Sequence, residues 1–269
     1  MKPAPFQYER ALSAAQAIAQ LAGGEGMVKL CAGSQSLGPM LNLRLAQPAK
    51  LIDISQLQAL RGFELIPDGL RIGSAMTHAR IEDGELPDLT RGLLPTVAAG
   101  IAYRAIRNRG TLGGSLAHAD PAADWVSCMS LLDAVICVAG SDSERSLPAS
   151  QLFLGPFTTS LAEDELIVAV EVPRFSSRAR WAYRKYCRKP GEFAEAIAAL
   201  WIDDEHNIAR AVFGSFNGMP RVISGMDAVA RLRDSKQRSR SLDESGLDDD
   251  YQREMHSAML RRAFEDLDR

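Results

Sequence analysis

Arg107–Asp124 reads Arg-Asn-Arg-Gly-Thr-Leu-Gly-Gly-Ser-Leu-Ala-His-Ala-Asp-Pro-Ala-Ala-Asp. Thr111, Gly113, Gly114 and Ser115 form a stretch with almost no side-chain bulk. Consecutive glycines open backbone conformations closed to other residues and let a ligand approach the main chain. Successive N–H groups in such a turn can converge on an anion, and the hydroxyls of Thr111 and Ser115 add donors beside it. A second stretch of the same kind lies upstream at Ala32-Gly33-Ser34-Gln35-Ser36. Two such loops suggest two clamps on one long, phosphate-bearing ligand.

The familiar nucleotide signatures are absent. Gly24-Glu25-Gly26 is a Gly-x-Gly, but Lys29 stands where the third glycine belongs, and the segment precedes a strand pattern instead of following one. There is no Gly-Lys-Ser/Thr, no His-Glu-x-x-His and no Gly-x-Ser-x-Gly. A nucleotide bound here is held by something other than a Rossmann fold or a P-loop.

The 269 residues suffice for two or three subdomains. An apolar fraction of 46% and a charged fraction of 24% are ordinary for a globular protein. The net charge of −3 gives no basic field for nucleic acid or an anionic membrane. No apolar run approaches the roughly 18 residues that span a bilayer, and the N-terminus lacks an apolar signal region. The expected location is cytoplasmic. The four cysteines, Cys31, Cys128, Cys137 and Cys187, are scattered without iron–sulfur or zinc spacing, and read as small buried apolar side chains. The histidines form no metal pattern either.

Periodicity predicts a helix over Arg10–Ala22, a strand over Met27–Ala32 running into the first loop, and a strand at Leu51–Ile54. Further strands are expected at Gly69–Ala75, Ala134–Ala139 and Glu165–Val172, the last stopped by Pro173. Leu93–Ile106 and Asp124–Leu132 read as helices. Trp181–Cys187, Ala194–Ile202 and Arg210–Asn217 read as strands of an antiparallel sheet backed by helices. Arg231–Asp250 is polar, with a basic and an acidic half, and reads as a solvated loop or partly disordered linker. Tyr251–Leu267 places Met255, Met259, Leu260, Ala263, Phe264 and Leu267 on one helical face, as core or subunit contact.

These residues carry a family resemblance. Lys29–Leu45, followed by Leu51-Ile52-Asp53-Ile54, resembles the first FAD loop of the flavoprotein subunits of the molybdenum hydroxylases, the family of xanthine dehydrogenase and carbon monoxide dehydrogenase. Ile106–Asp124 resembles the second. Phe157-Thr158-Thr159, Glu165-Leu166-Ile167 and Tyr183-Arg184-Lys185-Tyr186 follow in the family's order, and Tyr251–Leu267 resembles the subunit's end. The resemblance implies an α+β fold: a PCMH-type (vanillyl-alcohol-oxidase-like) two-part FAD-binding domain, then a C-terminal antiparallel sheet with helices. The implied boundaries are 1–55, 56–175 and 176–269. Two positions depart from the family pattern: Ser34 stands where a second glycine is usual, and Ser115 where asparagine or aspartate is usual.

The resemblance assigns cofactor contacts to Lys29, Leu30, Ala32, Gly33, Ser34, Gln35, Ser36 and Leu37 in the first loop. In the second it assigns Thr111, Gly113, Gly114, Ser115, Asp120 and Asp124. Ile167 would supply a backbone contact at the flavin and Lys185 a cation. Taken singly, Asp124 reads more often as a helix cap and Lys185 usually as a solvated surface charge; their order and spacing together favour the cofactor. Arg107 and Arg109 suit a cofactor phosphate, an acidic partner surface or a plain salt bridge, and stay unassigned.

The implied activity is electron transfer. A large partner subunit would carry the molybdopterin cofactor, a small one two [2Fe–2S] clusters, and the assembly would be a dimer of heterotrimers. FAD on this chain would pass electrons to an external acceptor. No metal ligand and no indispensable acid or base is expected here. A free-standing flavin oxidoreductase and a non-flavin scaffold protein are the alternatives. A chain ending at Pro173 is expected to keep some affinity for FAD.

Overall fold

The structure, a computed structural model, describes residues 2–215, 218–244, 247 and 249–269. The chain builds three main sheets in order. The first comprises β1 (Gln7–Arg10), α1 (Ala14–Ala22), β2 (Val28–Cys31), α2 (Leu37–Asn42) and β3 (Lys50–Asp53), with parallel strands in the order β1-β3-β2. The predicted helix Arg10–Ala22 is therefore shorter, and its first residue belongs to β1. Ser13 caps α1 by accepting from the Gln16 N–H, and the Gln16 side chain returns to the Leu12 N–H. This reciprocal cap sets the start; Ala17, Ile18 and Leu21 face the core.

The second part holds β4 (Phe63–Ile66), β5 (Gly69–Gly73), α3 (His78–Glu82), α4 (Leu93–Ala99), α5 (Arg104–Arg107), α6 (Leu112–His118) and α7 (Asp124–Leu132). It continues through β6 (Val135–Ala139), β7 (Glu144–Pro148), α8 (Ala149–Leu152), β8 (Phe153–Gly155), β9 (Thr158–Thr159) and β10 (Leu166–Pro173). The sheet runs β4-β5-β10-β6-β7, antiparallel throughout. One face of β5, β10 and β6 presents Leu70, Ile72, Val170, Val172, Ile136 and Val138 to the main core. Ala139 and Leu166 instead join a cluster with Ile18 of α1 and Ile52 of β3, which ties the two parts together. The expected single helix Leu93–Ile106 is two helices. Gly100 closes α4, and Ala102 takes a positive φ of 43° before α5 begins.

The third part is a meander of β11 (Arg180–Tyr186), β12 (Ala196–Asp203), β13 (Ile208–Gly214) and β14 (Arg221–Ser224), followed by α9 (Met226–Arg231), α10 (Ser235–Asp243) and α11 (Asp250–Leu267). Of the strand expected at Arg210–Asn217, Phe216 and Asn217 lie outside the described residues. α11 lays Met259, Leu260, Ala263, Phe264 and Leu267 on the sheet, so its apolar stripe is core. Arg231–Asp250 is not simply a linker: α10 occupies its middle, and Ser245, Gly246 and Asp248 lie outside the described residues. Asp234 caps α10 by accepting from the N–H groups of Lys236 and Gln237. Arg238 is buried and donates to the Leu232 carbonyl at 2.9 Å, while Leu242 and Leu247 enter the core. Two leucines and one arginine among many charges are too sparse for a periodicity signal.

Candidate functional site

A cleft of about 690 Å³ runs between the first sheet and the second part, within the range of roughly 300–1,000 Å³ usual for cofactor sites. Every candidate residue lines it: Lys29, Leu30, Ala32–Leu37, Thr111, Gly113, Gly114, Ser115, Asp120, Asp124, Ile167 and Lys185.

The loop Ala32–Ser36 follows β2 and forms one wall. Ser34 holds φ at 57°, the left-handed region that favours glycine and costs other residues about 1 kcal/mol. Among the described residues, the N–H groups of Gly33, Ser34, Gln35 and Ser36 have no hydrogen-bond partner. The loop therefore offers free main-chain donors. Gly33 lies against the second loop: a Cβ there would meet the Arg109 carbonyl oxygen at 2.0 Å, so glycine is what lets the two loops touch.

The second loop differs from its expected geometry. Thr111 is the N-cap of α6, with Gly113 and Gly114 inside the first turn. Segment Ser74–His78 is stitched antiparallel to Gly110–Gly113 through His78 N–H to the Gly110 carbonyl (2.9 Å), Leu112 N–H to the Met76 carbonyl (2.9 Å) and Gly113 N–H to the Ser74 carbonyl (2.8 Å). Gly114 N–H is taken by Thr111 Oγ1 and Ser115 N–H by the Thr111 carbonyl. The expected nest of main-chain donors is thus already satisfied internally. What α6 turns to the cleft is an open surface at Gly114 and the hydroxyls of Thr111 and Ser115.

Asp124 and Lys185 meet each other. Lys185 Nζ lies 2.8 Å from Asp124 Oδ2, the Tyr183 hydroxyl donates to Asp124 Oδ1 at 2.9 Å, and Lys185 also donates to the Gly100 carbonyl at 3.1 Å. Burial pushes the Asp124 carboxyl upward, and the Lys185 charge and the Tyr183 hydroxyl oppose it. Sequence reasoning named both ends of this pair but not Tyr183. Asp120 accepts from the Ala122 N–H in a tight turn at the cleft edge. Ile167 sits where the β10–β6 register shifts.

Arg107 resolves into an internal ion pair. Its guanidinium grips Glu82 at 2.7 and 2.8 Å and donates to the carbonyls of Ile101 and Ala102. Arg109 is exposed and does not line the cleft. Of the cysteines, Cys31, Cys128 and Cys137 are buried and Cys187 half-buried. Cys31 touches the cleft; burial, foremost, pushes its thiol up to about 11.

The residues present fit an FAD. Free N–H groups in one wall suit a diphosphate, and Ser74 Oγ, on the cleft wall, is buried without a partner. Residues 4–175 match the family model described as the FAD binding domain in molybdopterin dehydrogenase. The chain belongs to this family of FAD-binding oxidoreductase subunits. It is 35% identical to the 6-hydroxypseudooxynicotine dehydrogenase complex subunit alpha of Paenarthrobacter nicotinovorans, over 87% of this chain and 80% of the relative. It is 36% identical to the nicotine 6-hydroxylase medium subunit of the same organism, over 81% and 78%. The fold matches a chain of the Hydrogenophaga pseudoflava carbon monoxide dehydrogenase that lacks the Mo-pyranopterin moiety of its cofactor. The TM-score is 0.88 at 29% identity, covering 99% of this chain and 98% of that one. The α+β architecture is that of a molybdenum-hydroxylase FAD subunit. No helix among the described residues is long and apolar enough to cross a membrane.

Proposed function

We propose that this chain holds FAD in the cleft between the Ala32–Ser36 loop and α6, and relays electrons from [2Fe–2S] clusters on a small partner to an external acceptor. A large molybdopterin subunit would carry out the hydroxylation, and the assembly would be a dimer of heterotrimers. The observation that carries the reading is that every candidate residue, though far apart in sequence, lines one cleft. Bound FAD supplies the redox chemistry; the protein supplies position and environment. The free N–H groups of Gly33–Ser36 bind the diphosphate, the hydroxyls of Thr111 and Ser115 approach from the facing wall, and Ile167 bounds the flavin end. Asp124, held by Lys185 and Tyr183, orients polar groups of the cofactor. We take residues near 55 and 175 as the boundaries of the two cofactor-binding parts.

Gly114 provides the test. A Cβ there would meet only Thr111 Oγ1, at 2.8 Å, so side chains at this position project into the cleft. Gly114→Asp places a carboxylate beside the diphosphate, and like-charge repulsion at contact distance is worth several kcal/mol even at an effective dielectric of about 20. FAD content should fall by about tenfold or more, well below that of Gly114→Ala. Occupancy near wild type in Gly114→Asp rejects this placement of the cofactor.

A further inference from the structure

His78 has one ring nitrogen accounted for and one not. It is 5% exposed. Its Nδ1 accepts from the Trp125 indole N–H at 3.0 Å, which places the proton of the neutral ring on Nε2. Nε2 lies against Gly110, where a Cβ would come within 2.7 Å. It has no hydrogen-bond partner among the described residues, and His78 lines the cleft. Burial, aided by the Arg107 charge, pulls its pKa down to about 4, so the ring is a neutral donor at ordinary pH.

Ser74 sits on the same stitched segment. It is 4% exposed, lines the cleft, and its Oγ is buried without a partner. Its Cβ presses on Gly113, where an added Cβ would be 2.5 Å away. The glycines of the second loop therefore make room for two polar side chains beneath it. Leaving a buried hydroxyl such as Ser74 Oγ unpaired costs about 1–3 kcal/mol, a penalty that a bound ligand removes. The main-chain N–H groups of α6 are already used. With the N–H groups of Leu112–Ser115 spent, the further donors this wall can offer an acceptor-only ligand come largely from side chains.

We infer that His78 donates through Nε2–H to an anionic oxygen of the cofactor diphosphate, with Ser74 as a second donor on the same wall. The inference rests on FAD occupying the cleft, and it names His78 as a binding residue.

The test uses the full apo chain titrated with FAD, ADP and riboflavin. In His78→Asn the amide oxygen replaces Nδ1 as the partner of Trp125, and the Nε2 position is left empty. In His78→Gln the amide reaches the Nε2 position and abandons Trp125. His78→Asn should weaken FAD and ADP alike by about tenfold, the size of one hydrogen bond to a charged group, and leave riboflavin binding and, at pH 7 and above, the apo melting temperature unchanged. His78→Gln should recover most of the FAD affinity while lowering the melting temperature. Undiminished FAD and ADP binding in His78→Asn, or a loss confined to riboflavin, overturns the assignment. A wild-type chain that takes up no FAD sinks the cofactor reading and this assignment with it.

Discussion

Gly33, Gly113 and Gly114 look alike in the sequence, yet each is small for a different reason. Gly33 admits the Arg109 carbonyl, Gly113 admits Ser74, and Gly114 leaves cleft surface open. His78 adds a consequence for stability. Folded, its pKa is about 4, against an ordinary value of 6.5. Between those values the unfolded chain binds more protons, so stability falls as pH drops from 6.5 toward 4 and is fully present above that window. The gap corresponds to about 3 kcal/mol. Thermal unfolding of apo wild type and His78→Asn across pH 4 to 7 checks this. The variant should lose the part of the slope that belongs to the histidine, and parallel curves would exclude His78 as its source.

Elements are joined here by polar clasps as well as by core. The Asp124–Lys185–Tyr183 cluster ties the first residue of α7 to β11, with Asp124 5% and Lys185 11% exposed. Removing one member of a buried pair strands the other charge, at a cost of roughly 3–5 kcal/mol. Lys185→Met should therefore destabilise the chain by that amount in urea unfolding, and Asp124→Asn in the same background should restore most of it. Equal destabilisation by the single and double variants would show that Lys185 acts through packing alone. α10 makes a related point. Its Arg238 donates to the Leu232 carbonyl, so a cation in a hydrophilic stretch serves as a helix anchor.

The second and third sheets share one core. Every residue of α7 is buried, and its neighbours in the cluster include Ala199, Trp201 and Val212 from the third part. Trp201 stacks on Phe175 with ring centroids 4.6 Å apart. A chain ending at Pro173 would leave α7 uncovered on this side and delete Lys185. We therefore expect it to lose cooperative unfolding and most FAD retention, rather than keep the affinity that the sequence motifs taken alone imply. Thermal melts with FAD fluorescence on the truncated chain decide between the two outcomes: a sharp transition with retained flavin would show that the first two parts fold unaided.

Much of this was readable in the one-dimensional pattern. Alternation marked β5, apolar runs marked β6 and β10, helical spacing marked α1 and α11, and the runs of small residues marked both cleft loops. Those signals are local, since side-chain period and bulk act within a few residues. The pattern could not show that the second loop's N–H groups are already satisfied, that Asp124 and Lys185 neutralise each other, or that His78 lines the same wall. Each of these depends on groups tens of residues apart meeting in space. A hydrogen bond is set by the partner that folding brings within 3 Å, and sequence spacing carries no record of that partner.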